Sequence, residues 1–170
     1  YRFKALTVSS NEPAGFTSLP ATLTGIEFVN RLAKERYTTN QIYLNGAGVA
    51  AGDYDGDGMC DLFFCGLDSE NKLYRNLGGW KFEDVSTKAR VRGKNIATTG
   101  VSFADVNGNG LLDLVLNSVG QGTWVLLNDG QGSFRATRPL NPRGAGMSLA
   151  LADVDQDGDL DLYVTNYRTE

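Results

Sequence analysis

The chain has 170 residues, 41% of them hydrophobic, which is enough for one domain with a real core. Its net charge of −4 argues against the basic footprint of a nucleic-acid binder, and the absence of His excludes a Ser-His-Asp or Cys-His mechanism within these residues. With 21 Gly and 4 Pro it reads as a turn-rich β protein, and no run approaches the roughly 18 apolar residues of a membrane span.

Residues 1–24 read as an extended lead-in, with turn residues around Pro13-Ala-Gly15. Gly25-Ile-Glu-Phe-Val-Asn30 looks like a strand. The stretch Phe28 to Arg36 also suits a short helix with Phe28, Leu32 and Ala33 on one side; strand followed by loop is favoured. Gln41-Ile-Tyr-Leu-Asn45 is similar to the third strand of the units described next and ends in the turn signal Asn45-Gly46.

From Gly48 the chain repeats itself. GVAAGDYDGDGMCDLFFCG, GVSFADVNGNGLLDLVLNS from Gly100 and SLALADVDQDGDLDLYVTN from Ser148 align without gaps. Their first loop aspartates, Asp53, Asp105 and Asp153, lie 52 and 48 residues apart (105 − 53 and 153 − 105). A period near 50 fits one four-stranded propeller blade. In each unit a short strand (Val49 to Gly52, Val101 to Ala104, Leu149 to Ala152) enters an Asp loop. A second strand leaves it: Asp61 to Cys65, Asp113 to Leu116, Asp161 to Thr165. Third strands follow twice (Lys72 to Asn76, Thr123 to Asn128), then Gly turns and fourth strands (Trp80 to Phe82, Ser133 to Arg135).

The expected organisation is a lead-in and partial blade over 1–45, repeats over 46–95 and 96–145, and a truncated third repeat over 146–170. The fold class expected is all-β, a partial propeller of about three antiparallel four-stranded blades. An open ring would leave raw sheet edges, so a longer native protein is expected. The start at Tyr1 reads as a mature form or a fragment, with any signal peptide already removed.

The loops share D-x-[DN]-x-[DN]-G-x-x-D-L. Oxygen ligands on alternate residues converge when such a loop curls around a hard cation, and the Gly allows the sharp turn. The candidate calcium ligands are Asp53, Asp55, Asp57 and Asp61 with the Met59 carbonyl in the first loop. In the second they are Asp105, Asn107, Asn109 and Asp113 with the Leu111 carbonyl, and in the third Asp153, Asp155, Asp157 and Asp161 with the Asp159 carbonyl. The middle loop has two carboxylates where the others have four, so it is expected to bind Ca²⁺ most weakly. Turn capping by Asp and Asn explains one such loop, but not three in register. An EF-hand needs a Glu at position 12, and here that position is Phe64, Leu116 or Val164 inside an apolar strand.

Cys60 and Cys65, on one extended strand, would lie roughly 16 Å apart, beyond disulfide reach. They are expected not to pair with each other, whether as buried hydrophobes or as partners of a segment elsewhere.

These loops and strands resemble the FG-GAP/VCBS repeats of integrin α-subunit propellers and of many secreted bacterial proteins. The run Leu44-Asn-Gly-Ala-Gly-Val-Ala-Ala-Gly-Asp-Tyr-Asp-Gly-Asp-Gly58, with Leu73-Tyr-Arg-Asn76 and Trp80-Lys-Phe-Glu-Asp-Val85, is similar to bacterial repeats that carry an ASPIC/UnbV domain further along. The resemblance covers about residues 40–170, and no ASPIC/UnbV segment lies in them. It implies a seven-bladed propeller, an extracellular, periplasmic or cell-surface setting, and a role in adhesion or partner binding.

The favoured function is a non-enzymatic scaffold with a protein or glycan partner. The alternative is a carbohydrate-binding protein or a calcium-assisted polysaccharide lyase, with Trp80, Trp124 and Tyr43 as sugar platforms and Lys72, Arg75 or Lys81 as a base; packing between blades is the competing role for the aromatics. A redox or quinone-dependent propeller enzyme finds no cofactor motif here.

Overall fold

The computed structural model describes residues 15–167. Two four-stranded antiparallel sheets and one two-stranded hairpin follow each other along the chain. The first sheet holds β1 (Val49–Gly52), β2 (Asp61–Phe64), β3 (Lys72–Asn76) and β4 (Phe82–Asp84) in sequential order. The second holds β5 (Thr98–Ala104), β6 (Asp113–Ser118), β7 (Thr123–Asn128) and β8 (Phe134–Ala136) in the same order. The hairpin is β9 (Ala145–Ala152) with β10 (Asp161–Tyr167). No helix among the described residues is long and apolar enough to cross a membrane.

The repeat is reproduced at the level of register. Gly52 pairs with Asp61, Ala104 with Asp113 and Ala152 with Asp161, so each Asp loop is closed by the same base pair of a β-hairpin. Alternation within β2 buries Asp61 and Phe63 and leaves Leu62 and Phe64 half-buried.

The main core lies between the first two sheets. Phe63, Cys65 and Leu73 of the first pack with Leu114, Leu116, Leu126 and Phe134 of the second. A smaller cluster of Ile42, Leu67, Ala97, Val119 and Ala145 ties in the third unit. The first strands approach closely: a Cβ on Gly48 would sit 3.1 Å from the Gly100 Cα, which only Gly tolerates without displacement.

The segment before β1 differs from expectation. Gly25–Asn30 forms no strand; short helices span Ala21–Thr24 and Lys34–Thr39 on either side. Its polar groups bond to β3 and to the loop between β2 and β3 instead of joining a ladder. The Glu27 N–H donates to the Tyr74 hydroxyl at 3.2 Å, Arg31 N–H to Ser69 Oγ at 3.0 Å, and Asn30 Oδ1 accepts from Leu67 N–H at 3.0 Å. Gln41–Asn45 is a 3₁₀ turn rather than a strand. Asn40 Oδ1 captures the Ile42 N–H at 3.1 Å and starts the turn, which buries Ile42.

The fourth strands begin at Phe82 and Phe134, later than expected. Trp80 sits in the preceding turn at φ 63. The lead-in expected before residue 15, including Pro13, lies outside the described residues.

Candidate metal loops

Each loop is organised by its own backbone. In the first, Asp53 Oδ1 accepts from the Gly56 and Asp57 N–H groups at 2.9 and 3.1 Å, and Oδ2 accepts from Gly58 at 2.8 Å. Asp105 repeats this with Asn109 and Gly110, and Asp153 with Asp157 and Gly158. The sixth-position glycines turn the chain in the left-handed region, at φ 85, 83 and 95. The following residues, Met59, Leu111 and Asp159, each donate an N–H to the side-chain oxygen two residues back.

The ninth-position aspartate ties the loop to the sheet. Asp61 accepts from Tyr54 N–H at 3.0 Å through Oδ2 and from Asn76 N–H at 2.8 Å through Oδ1. Asp113 accepts from Val106 at 3.2 Å and from Asn128 at 2.7 Å in the same way. Both carboxylates are fully buried. Among the described residues Asp161 has only the loop bond, from Val154 at 3.0 Å, and is exposed. Asn76 and Asn128 were not identified from sequence as part of the site. The available signal was an Asn at the end of both third strands, just before a Gly turn.

Two carboxylate triads result among the described residues. Asp53, Asp55 and Asp61 present one oxygen each within 4.8 Å of one another, and so do Asp153, Asp155 and Asp161. Asp57 and Asp157 stand outside these triads. The middle loop gathers Asp105 and Asp113 with the amides of Asn107 and Asn109, whose oxygens accept the N–H groups of Asn109 and Leu111. The donors are all hard oxygens, which fits a hard cation such as Ca²⁺ and not a thiophilic metal.

Electrostatics differ from loop to loop. Burial pushes the Asp61 carboxyl up, against the two backbone bonds from Asn76 and Tyr54, and the Asp55 and Asp57 charges push it the same way. The Gly110 N–H, with its neighbours, holds Asp105 below the ordinary carboxylate value. Asp159 is raised by its hydrogen bond with Asp157 and by the surrounding negative charge.

The first loop carries its own counter-charge. Arg75 Nε lies 2.6 Å from Asp55 Oδ2, an ion pair outside hydrogen-bond angles, and Nη2 donates to Asp57 Oδ2 at 2.8 Å. The position equivalent to Arg75 in the second unit is Leu127.

The other residues singled out from sequence do not gather around one cleft. Lys72 pairs with Asp84. Trp124 packs half-buried against the main core, and Tyr43 packs against the smaller one with the Arg36 guanidinium 4.4 Å from its ring centre. Trp80 is 67% exposed. Cys60 and Cys65 are both free; Cys65 is buried, and burial pushes its thiol up to about 12.

Residues 53–116 and 110–164 match the family described as FG-GAP-like repeat. Among curated proteins, cartilage acidic protein 1 of Xenopus tropicalis is 26% identical over 129 residues, covering 73% of this chain and 20% of that protein. The mouse (Mus musculus) and human (Homo sapiens) proteins of the same name are each 28% identical over the same shares. The chain thus spans about a fifth of the length of the curated relatives it matches.

Proposed function

The chain belongs to the FG-GAP-like repeat family, and from that premise we propose that its loops bind Ca²⁺ to rigidify successive blades of an interaction scaffold outside the cell. The observation that carries this is the pair of Asp triads, at the same place in two repeats and closed by the same hairpin register. The ligands proposed are Asp53, Asp55, Asp57, Asp61 and the Met59 carbonyl; Asp105, Asn107, Asn109, Asp113 and the Leu111 carbonyl; and Asp153, Asp155, Asp157, Asp161 and the Asp159 carbonyl. When bound, the ion supplies charge neutralisation and a fixed geometry at the loop. The residues' own part is to hold the carboxylates on a preformed backbone net, so that little conformational entropy remains to be lost on binding. The units are blades of a larger propeller, which we take to be seven-bladed, whose exposed loops present the surface to a protein or glycan partner. The relatives' name, which ties them to cartilage, supports an extracellular setting.

The carbohydrate reading draws on Trp80, which alone of its three aromatic platforms is widely exposed.

Thermal melts in Ca²⁺, in EGTA and in Mg²⁺ test the proposal. At a free Ca²⁺ of about 100 times the dissociation constant, each site adds about 2.7 kcal/mol. At roughly 2–4 °C per kcal/mol, a single such site raises the melting temperature by about 5–11 °C. Equal melting temperatures in Ca²⁺ and EGTA would remove calcium from the account and leave the loops as capped turns.

A further inference from the structure

Three Asn-Gly pairs occur in the chain, Asn45-Gly46, Asn107-Gly108 and Asn109-Gly110, and two of them stand in the middle loop. Such a pair carries its own chemistry. The Gly nitrogen, unhindered by a side chain, can attack the Asn side-chain carbon Cγ and close a five-membered succinimide. Two local conditions favour the attack. The Asn Oδ1 takes on negative charge, so a donor must already polarise it. The Gly N–H must not be committed to another acceptor.

The structure separates the three pairs on these conditions. Asn107 Oδ1 accepts from the Asn109 N–H at 3.1 Å, a bond this N–H shares with Asp105 Oδ1. The Gly108 N–H approaches Asp105 too loosely for a full hydrogen bond: of the four backbone groups that hold that carboxyl down it is the weakest. Its first-loop equivalent, Gly56, does bond Asp53 Oδ1, at 2.9 Å. Asn109 meets only the first condition. Its Oδ1 accepts from Leu111 N–H at 2.9 Å, but the Gly110 N–H is held by Asp105 Oδ2 at 2.7 Å. Asn45 meets neither, since the Gly46 N–H donates to Tyr43 O at 3.4 Å and, among the described residues, no donor reaches the Asn45 side chain. Asn107 is exposed, and with Gly108 it borders an open cavity of ≈ 460 Å³ shared with Gly158 and Leu160, so water reaches the pair.

We propose that Asn107 is a self-modification site: the Gly108 nitrogen displaces its side-chain amide, and hydrolysis leaves an aspartate that gives the middle loop a third carboxylate. The Gly108 nitrogen yields its proton to solvent and bonds to Cγ. The Cγ–Nδ2 bond breaks, and Nδ2 leaves as ammonia. Water then adds to Cγ, the bond from Cγ to the Gly108 nitrogen breaks, and the proton returns to that nitrogen. Asparagine and water become aspartate and ammonia, with no oxidant or cofactor. Addition of water at the other ring carbonyl would give isoaspartate; the Asn109 N–H at Oδ1 polarises Cγ instead and directs water there. The product loop reads D-x-D-x-N-G, one step closer to the D-x-D-x-D-G of the first and third loops. Its gain as a cation site rests on the calcium reading proposed above, whereas the modification itself does not.

Mass-spectrometric peptide mapping of the whole chain, incubated in EGTA both folded and in urea, tests it. In the folded chain the mass gain of OH over NH₂ accumulates at Asn107 about tenfold faster than at Asn109 or Asn45, the effect on the barrier of one committed hydrogen bond. The product is aspartate in the main. In urea the three pairs convert alike, because the contacts that distinguish them are gone. Asn107→Gln, which would need a six-membered ring, stays unmodified. Asn107→Asp tightens Ca²⁺ binding at the middle loop by about tenfold, read at the Gly110 amide resonance, and aged wild type approaches it. Conversion at Asn109 or Asn45 as fast as at Asn107 in the folded chain overturns the proposal, as does isoaspartate as the main product. So does an Asn107→Asp loop no tighter for Ca²⁺ while the outer loops bind it. Ca²⁺ binding at no loop would sink the calcium reading, and the mass spectra in EGTA would still decide the modification.

Discussion

Asp113→Asn separates the structural work of the ninth-position aspartate from any work with a metal. Asp113 is fully buried, and its two oxygens accept from Asn128 at 2.7 Å and Val106 at 3.2 Å. The amide keeps the volume but replaces one acceptor by an NH₂, which then faces a backbone N–H. One charge-assisted bond is lost and one buried donor is left without a partner, each worth about 1–3 kcal/mol. The expected loss is about 3 kcal/mol in EGTA, or roughly 6–12 °C in melting temperature. Asp61→Asn should behave alike, since Asp61 is as buried and bonded in the same way to Asn76 and Tyr54. Asp161→Asn, exposed and, among the described residues, holding a single bond from Val154, should melt with the wild type in EGTA. Urea unfolding of the three variants in EGTA gives the comparison. Equal losses at Asp113 and Asp161, or none at Asp113, would refute the argument that the third strand is anchored through this carboxylate.

Two further outcomes follow from the charges around the loops. Arg75→Leu, which copies Leu127 of the second unit, removes a cation beside Asp55 and Asp57. It should raise Ca²⁺ affinity at the first loop and lower the melting temperature in EGTA. The amide resonance of Gly58 reports the first loop and that of Gly158 the third, so a shift confined to neither site, or equal at both, speaks against a local effect. At Asp84, burial alone would raise the carboxyl, but the bonds from Lys72 and Ser86 prevail and hold it below its ordinary 3.8. Its folded value is depressed, so its contribution is present above 3.8 and disappears as pH falls through the lower folded value. The stability difference between wild type and Lys72→Met should therefore shrink in that acid window; a difference constant down to pH 2 would rule out Lys72 as the cause.

The loops were legible because their structure is local. Asp53 is bonded by residues three to five places on, and the left-handed turn falls on the Gly that the pattern requires. A period of about 50 then turned one hairpin into a row of them. Residues 25–45 were not legible in the same way. Their apolar alternation suggested strands, but the acceptors that decide the backbone, Tyr74, Ser69 and Asn40, are side chains outside any ladder; Tyr74 lies on β3 and Ser69 in the loop between β2 and β3. Nor could spacing alone reveal that Asn76 would anchor Asp61 from fifteen residues away, or that Arg75 would pair with two candidate ligands.

Ligand counting made the two outer loops equal, and the structure separates them. The first loop carries Arg75 against Asp55 and Asp57, so part of its negative charge is already neutralised. The third has no such cation within ion-pair distance among the described residues, and it adds Asp159, raised by its contact with Asp157. Like charges held together on a preformed backbone net favour an incoming cation, because the repulsion is present before binding and relieved by it. The affinity order expected is therefore third, first, middle.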